Sequence, residues 1–494
     1  MNIEQYIYFG LCFLYILSLS FILIYSIGAF TLTIYFLRAQ KKKIKLPIEL
    51  DFKIKNNLVL IQLPIYNEKY VIERLIDSVC QIEYPLDLLQ IDILDDSDDE
   101  TSELIASKVE EFKKKGFSIE HKKRNSRKGY KAGALKHFID DSDCEYIVIF
   151  DADFVPPKNF LLELLPHFKN KNIGMVQSRW GHLNQNQSSL TKLQAFGLNF
   201  HFTIEHEGRN EGNYLMNFNG TAGIWRKKCI KDAGGWSETT LTEDLDLSYR
   251  AQLKGWKFKY VPEIISDAEL PMTVQALKVQ QYRWNKGGAQ CLKKLIKPII
   301  FSKEINFRQK LFAIIHLLGS TTYVFVFNVF ILCLLLLLLR SKSELVDWTL
   351  KLGSVFFVST ILLCYSYWIS WKSNQSTSKI SFLVNFFIYL AFTSGLSFYN
   401  LTAVISGFIS KSSEFKRTPK FNTRKKNKLK LNCYSTPKIS YHLIIEIVLS
   451  FLFFLAMINS LYYLDFITFL FFSLITYGFG MVSYFQIKEV FLKN

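Results

Sequence analysis

The chain has 494 residues, 49% of them hydrophobic with 44 Phe and 25 Tyr, yet 21% are charged. That mixture excludes both a disordered chain and a wholly soluble domain, and points to membrane spans joined to a substantial aqueous domain. A net charge of +17 suits phosphate-bearing substrates or anionic membrane lipid; no nucleic-acid-binding motif accompanies it, and eight scattered cysteines without a CxxC argue against a disulfide framework or zinc site.

Tyr6 to Leu37 is nearly free of charge and is followed by Arg38, Lys41, Lys42, Lys43 and Lys45. A bilayer core needs ~20 apolar residues per helix, so residues 1–40 read as one spanning helix. The stretch is too long for a removable leader and lacks its small-residue cleavage site. Its basic flank places the segment after it in the cytoplasm, with the protein integral to a plasma or inner membrane.

Residues 50–300 alternate short apolar runs with helical stretches, the pattern of an α/β sheet domain. Leu58 to Leu63, Ile91 to Leu94, Tyr146 to Phe150 and Gly174 to Ser178 read as strands. The second ends in Asp95-Asp96 and the third in Asp151-Ala152-Asp153. Ligands of such sheets bind at the carboxyl ends of strands, and paired carboxylates there suit a hard divalent cation carrying a diphosphate. Lys122 to Lys131 is a basic loop leading into Ala132-Gly133-Ala134, and Phe218-Asn219-Gly220 opens a small-residue segment that lets backbone approach a ligand. Thr242 is a fair N-cap for a helix whose first turn carries Glu243 and Asp244. Gln280, Arg283 and Trp284 lie on a basic amphipathic stretch suited to a membrane surface. Phe200, His201 and His206 share another amphipathic helix, where the histidines read as surface or core residues rather than ligands. Each motif alone leaves a structural reading open, because Asp is common where strands stop and acidic first turns are ordinary helix chemistry.

Residues 308–494 are strongly hydrophobic, with candidate spans at Leu311 to Leu339, Leu350 to Trp371, Ile380 to Ile409, Leu443 to Tyr463 and Phe466 to Ile487. The basic loop 411–438 belongs on the cytoplasmic side. Three crossings before it would put it outside, so one segment must be interfacial or re-entrant. Ile380 to Ile409 is the candidate, because Ser394, Gly395, Ser397, Asn400, Thr402, Ser406 and Gly407 interrupt its apolar surface.

IQLPIYNE, LDDSDD, KAGAL, FDADF, FNGTAG, LTEDLDL and QQYRW occur in that order. With these motifs the chain resembles the family 2 inverting glycosyltransferases of the membrane-embedded, processive type, similar to cellulose synthase. It is similar in particular to the cellulose-synthase-like proteins that make mannan or glucomannan backbones. The resemblance implies a cytosolic GT-A (Rossmann-like) domain inserted between the N-terminal helix and the C-terminal transmembrane region. It also implies a nucleotide-sugar donor, UDP-glucose or GDP-mannose, a growing β-linked glycan acceptor, and Mg²⁺ or Mn²⁺. By motif match, Asp95 and Asp96 would hold the nucleoside, Lys131 and Arg283 the diphosphate, and Asp151 and Asp153 the metal with that diphosphate. Asp244 would be the general base. Gln280, Trp284 and Phe218-Asn219-Gly220 would face the acceptor. Phe415, Thr418 and Lys420 resemble the family's FxVTxK gating loop, with Arg417 where Val is usual. The alternative is a non-processive transferase that forms a glycolipid, resembling ceramide glucosyltransferase.

Overall fold

The computed structural model describes residues 3–42, 57–374, 378–410, 417–420, 422 and 439–491. It opens with α1 (Ile3–Lys42) and then builds a seven-stranded sheet. The first half of the sheet domain runs β1 (Val59–Ile65), α2 (Ile72–Val79), β2 (Leu89–Asp95), α3 (Thr101–Lys114), β3 (Ser118–Lys123), α4 (Tyr130–His137) and β4 (Tyr146–Ile149). These four strands are all parallel. β1, β2 and β4 are apolar runs with helices on both faces, and nearly every residue in them is buried.

The second half runs α5 (Phe160–Leu164), β5 (Ile173–His182), α6 (Ser189–Phe200), α7 (His206–Glu211), β6 (Gly223–Arg226), α8 (Lys227–Asp232), α9 (Glu243–Gln252) and β7 (Lys257–Ala268). The strand order is β3-β2-β1-β4-β6-β5-β7, with β6 antiparallel to both neighbours. Two apolar clusters sandwich the sheet. One centres on Ile61, Ile93 and Phe150, the other on Leu60, Trp225 and Leu247.

α10 (Val274–Phe301) leaves the sheet and lies against the helical region of α11 (Phe307–Leu317), α12 (Thr322–Leu339), α13 (Glu344–Lys351), α14 (Ser354–Asn374), α15 (Lys379–Gly395), α16 (Ser397–Ile409), α17 (Tyr441–Tyr462) and α18 (Phe466–Phe491). Among the described residues four helices are long and apolar enough to cross a membrane: Ile3–Lys42, Phe307–Lys342, Tyr441–Tyr462 and Phe466–Phe491. α15 and α16 form a pair bent by 50°, which makes a fifth if it is one span. The bend falls within the segment expected to be irregular. Two of its polar residues meet α10: Asn400 Nδ2 donates to Gln281 Oε1 at 2.8 Å, and Lys286 Nζ donates to Ser406 Oγ at 2.8 Å. At the bend Gly395 packs so tightly on Gly478 that an added Cβ would lie 2.2 Å from the Gly478 carbonyl oxygen.

Candidate functional site

Parallel strands bring their carboxyl ends to one edge, and the chemistry collects there. The Asp96 amide donates to the Ile65 carbonyl at 3.0 Å, and the Phe150 amide to Gln62 at 3.3 Å, so the loops after β1, β2 and β4 are fastened together. They wall a cavity of about 200 Å³ that is closed on the far side by α10 and by residues 417–420.

Asp151 follows β4; its amide is held by Thr221 Oγ1 at 2.9 Å, and its carboxylate takes an ion pair from Lys131. Lys131 Nζ also donates to the Gly220 carbonyl at 2.8 Å. Burial opposes the charge on Lys131, but Asp151, Glu243 and Asp244 together raise its pKa. Asp153 is paired with Lys420 Nζ at 2.6 Å. Asp244 sits in the first turn of α9, with Oδ1 accepting from the Leu245 amide at 2.8 Å. Burial first, then the adjacent Glu243 charge, pushes its pKa up to about 7. Gly220 faces it in a left-handed conformation (φ 81°), and an added Cβ would stand 2.9 Å from Asp244 Oδ2. Only glycine fits there. Arg283 and Trp284 enter from α10, with Arg283 Nη2 donating to Thr418 Oγ1 at 3.2 Å.

The structure therefore brings Asp96, Lys131, Asp151, Asp153, Asn219, Gly220, Asp244, Gln280, Arg283, Trp284, Thr418 and Lys420 to one cavity. Two expected residues do not reach it. Asp95 is 3% exposed, set back behind Asp96. Burial would raise its pKa, but hydrogen bonds from His121, Ser102 and Ser97 outweigh that and hold it at about 2. Asp95 thus ties the β2 end to β3 and α3. Phe218 is fully buried against Trp225, so it supports the loop from below and touches no ligand space. The Thr242 hydroxyl does not cap α9; it points to Cys291 Sγ at 3.4 Å. Phe415 lies outside the described residues.

Several wall residues escaped the sequence reading. Arg124 clamps Asp96 with two bonds of 2.7 and 2.6 Å, and Arg127 stacks on Tyr66 at 3.3 Å. Trp180 and His182, at the end of β5, line the cavity, as does Glu68; Glu243, already legible in the first turn of α9, lines it too. Burial and then Arg179 lower the His182 pKa to about 4. Arg417 grips Glu68 through two 2.8 Å bonds. Burial nonetheless lifts the Glu68 pKa to about 7, with Arg417 pulling the other way. The departure from the usual Val therefore gives residues 417–420 an extra anchor. The motif flanking Glu68 and the position of Arg417 were visible signals, but their pairing spans most of the chain.

Asp151 and Asp153 offer hard oxygen donors suited to Mg²⁺ or Mn²⁺. Among the described residues no group of three His, Cys, Asp or Glu side chains could hold a metal alone. A divalent ion at this pair would complete its shell with ligand phosphate and water.

Known proteins match this architecture. A probable glucomannan 4-beta-mannosyltransferase from Oryza sativa subsp. japonica is 34% identical over 394 residues, covering 77% of this chain and 66% of its own length. Glucomannan 4-beta-mannosyltransferases from Cyamopsis tetragonoloba (39% identical, 59% of this chain and 55% of that protein) and Arabidopsis thaliana (41%, 52% and 49%) also match. The chain thus spans about half to two thirds of the length of these relatives. The fold is shared with a mannosyltransferase from Pyrobaculum calidifontis in complex with GDP-Man and Mn²⁺, at a TM-score of 0.54 and 16% identity, covering 80% of this chain and 100% of that one. The model of glycosyl transferase family group 2 matches residues 146–396, half of the sequence, and the chain belongs to that family.

Proposed function

We propose that this protein is a membrane-integrated inverting hexosyltransferase that extends a β-linked glycan from a nucleotide-sugar. The observation that carries the reading is the meeting of one partly buried carboxylate whose pKa is raised toward neutrality, Asp244, with a cationic and carboxylate cluster built from three separate strand ends and α10. The relatives' names favour mannose as the sugar transferred and glucomannan or mannan as the product, with GDP-mannose and UDP-glucose the donors to test.

In this reading the nucleoside lies toward Tyr66, Asp96 and Arg127, and the diphosphate toward Lys131 and Arg283. Asp151 and Asp153 would hold a divalent ion, which when bound neutralises charge on the diphosphate. Lys131 and Arg283 add fixed positive charge where the leaving group gains negative charge. Asp244 takes the proton from the acceptor hydroxyl as its oxygen bonds to the anomeric carbon. The bond from that carbon to the diphosphate oxygen breaks, and the nucleoside diphosphate leaves with the electron pair. One displacement with one base inverts the centre, so an α-linked donor gives a β-linked product. Trp284, 37% exposed at the cavity, offers a flat apolar face for the terminal sugar. The sheet domain is assigned to the cytoplasmic side, supported by Arg38, Lys41 and Lys42 at the end of α1.

The test is transfer in membranes supplied in parallel with labelled GDP-mannose and UDP-glucose, with and without Mn²⁺, followed by sizing and digestion with linkage-specific glycanases. A long β-linked polymer is expected. A single hexose on lipid, α linkages or no incorporation from either donor overturns the reading.

A further inference from the structure

A second cavity, of about 210 Å³, opens where the sheet domain meets the helical region, between α6, the carboxyl end of α14 and the start of α15. It shares a wall with the candidate active site: Leu198 on α6 lines one cavity and Asn199, the next residue, lines the other. Asn374, the last residue of α14, fastens this corner to the sheet domain. Its Oδ1 accepts from Arg179 Nη2, while Nδ2 donates to Thr203 Oγ1 at 2.9 Å and to the Ser370 carbonyl at 2.8 Å.

The rest of the lining is polar, almost wholly neutral, and aromatic. Carboxamides come from Gln185, Asn186, Asn199 and Asn385, and rings from Phe196, Tyr367 and Trp371. Among the described residues no hydrogen bond engages the side chains of Gln185 or Asn186. Asn385 uses its NH₂, which donates to the Ser381 carbonyl at 2.7 Å. Trp371 packs obliquely on Phe196, with centroids 5.8 Å apart, and stays only half-buried.

This lining discriminates among ligands. Among the described residues it contains no carboxylate, so it has no charged donor for a metal cation, and Lys192 alone is too little to clamp a phosphate. An acyl chain would strip water from the carboxamides without replacing their hydrogen bonds. A sugar does replace them. Each carboxamide offers a donor and an acceptor to ring hydroxyls, and an aromatic face packs against pyranose C–H groups. At ~30 Å³ per water the volume is that of about seven waters, room for one hexose ring.

We propose that this cavity is a second glycan-binding site, taking one neutral hexosyl unit through Gln185, Asn186 and Asn385 with Trp371 as an apolar wall. The inference goes beyond the transfer reading and stands on the cavity alone. Two sources share the chemistry: a soluble β-glycan, and the headgroup of a glycolipid held in the bilayer beside α14.

The experiment measures binding to the full-length protein without any donor, so a protein that transfers nothing still tests the cavity. One arm titrates β-1,4-mannohexaose and cellohexaose by saturation-transfer NMR in detergent. The other compares lipid retained in nanodiscs with and without a hexosyl-diacylglycerol. Trp284→Ala is the background in both arms, so that sugar held at the candidate active site contributes little. Gln185→Leu and Trp371→Ala should each weaken binding about 3- to 10-fold, and donor affinity should stay unchanged. Lys192→Met should alter it less than twofold. Gln185 lies on the loop before α6, so Gln185→Leu keeps the test alive if Trp371→Ala does not fold. Binding in the first arm alone supports the site with a soluble glycan, in the second alone with a glycolipid. Binding in neither arm, a Gln185→Leu protein equal to its background, or sugar displaced by pyrophosphate and lost with Lys192→Met overturns the proposal.

Discussion

Asp244→Asn separates proton transfer from every other task of the site. The substitution is nearly isosteric, and its oxygen can still accept the Leu245 amide bond of 2.8 Å that holds the side chain at the start of α9. The other position, now an NH₂ facing Gly220, cannot take up a proton. General-base help is worth ~10²- to 10⁴-fold, so turnover should drop by that factor, about 3–5 kcal/mol of barrier. Donor affinity, which the proposed function assigns to Lys131, Arg283 and the Asp151/Asp153 pair, should stay within about twofold. Stability should move the other way. The Asp244 carboxyl is raised from 3.8 to about 7 in the fold, so the folded protein keeps a proton that the unfolded chain has already lost across that window. Stability from this group is therefore lost as pH rises from about 4 to about 7. Removing the charge should raise the unfolding temperature at pH 8 and change it little at pH 4. In the parent, kcat/KM should climb with pH on a limb near 7, belonging jointly to Glu243 and Asp244. The assays are single-turnover transfer, titration with donor, and thermal unfolding at the two pH values. Activity within tenfold of the parent, donor affinity falling in step with turnover, or an unfolding temperature below the parent at pH 8 would refute the reasoning.

Asp153→Asn should abolish the response of donor affinity to added Mn²⁺ while leaving the fold intact; a protein that still binds donor more tightly with Mn²⁺ would remove Asp153 from that role. Trp284→Ala should weaken the acceptor about 3- to 10-fold with no effect on donor titration; an equal effect on both would make Trp284 an interface anchor instead. Lys278→Met leaves Glu446, which is fully buried and paired with Lys278 at 2.6 and 2.7 Å, with no cation and only the hydrogen bond from Gln486 Nε2 at 2.9 Å. Breaking such a pair costs ~3–5 kcal/mol, and adding Glu446→Leu should recover most of it, read by thermal unfolding in detergent. An additive double variant would show that the ion pair is not what holds α10 to α17.

How much was legible depends on where each element lies. β1, β2 and β4 are central, and burial on both faces forces the apolar runs that mark them in the sequence. β3 is an edge strand reading Ser-Ile-Glu-His-Lys-Lys, and the charges that protect an exposed edge from pairing also disguise it as a basic loop. β7, at the opposite edge, carries Lys257, Lys259, Pro262 and Glu263 and was hidden for the same reason. β6 has only four residues. The acidic motifs showed themselves because chemistry demands carboxylates at strand ends. Trp180 and His182 carried no local pattern, and the pairing of Glu68 with Arg417 could not be read from the motifs around each, since only the sheet order and the return of the chain after α16 set them beside one another. Asp95 and Phe218 mark the converse. Adjacent residues in a motif point to opposite sides of a strand or loop, so one of each pair meets the cavity and the other meets the core.

The two sides of the cavity are held by contacts of different kinds, and this bears on which side can yield when a ligand enters. α10 presents Arg283 and Trp284 to the cavity, while Lys278 pairs with Glu446, Gln281 meets Asn400, and Lys286 reaches Ser406. Every partner lies on a helix of the apolar region, and Glu446 and Asn400 are fully buried there. Separating them would leave polar groups unpaired in apolar surroundings, at about 1–3 kcal/mol each and more for the ion pair. Residues 417–420 are attached differently. Lys420 binds Asp153 and Thr418 binds Arg283, groups that a diphosphate and its cation would themselves engage. A charged donor can replace those two contacts, though not the Arg417–Glu68 pair that also anchors the segment, whereas nothing entering the cavity can replace the ones behind α10. Under the proposed function, exchange of ligands would therefore work against Lys420 and Thr418 and leave α10 in place, so that an acceptor sugar would meet Asp244 at a constant distance from α10.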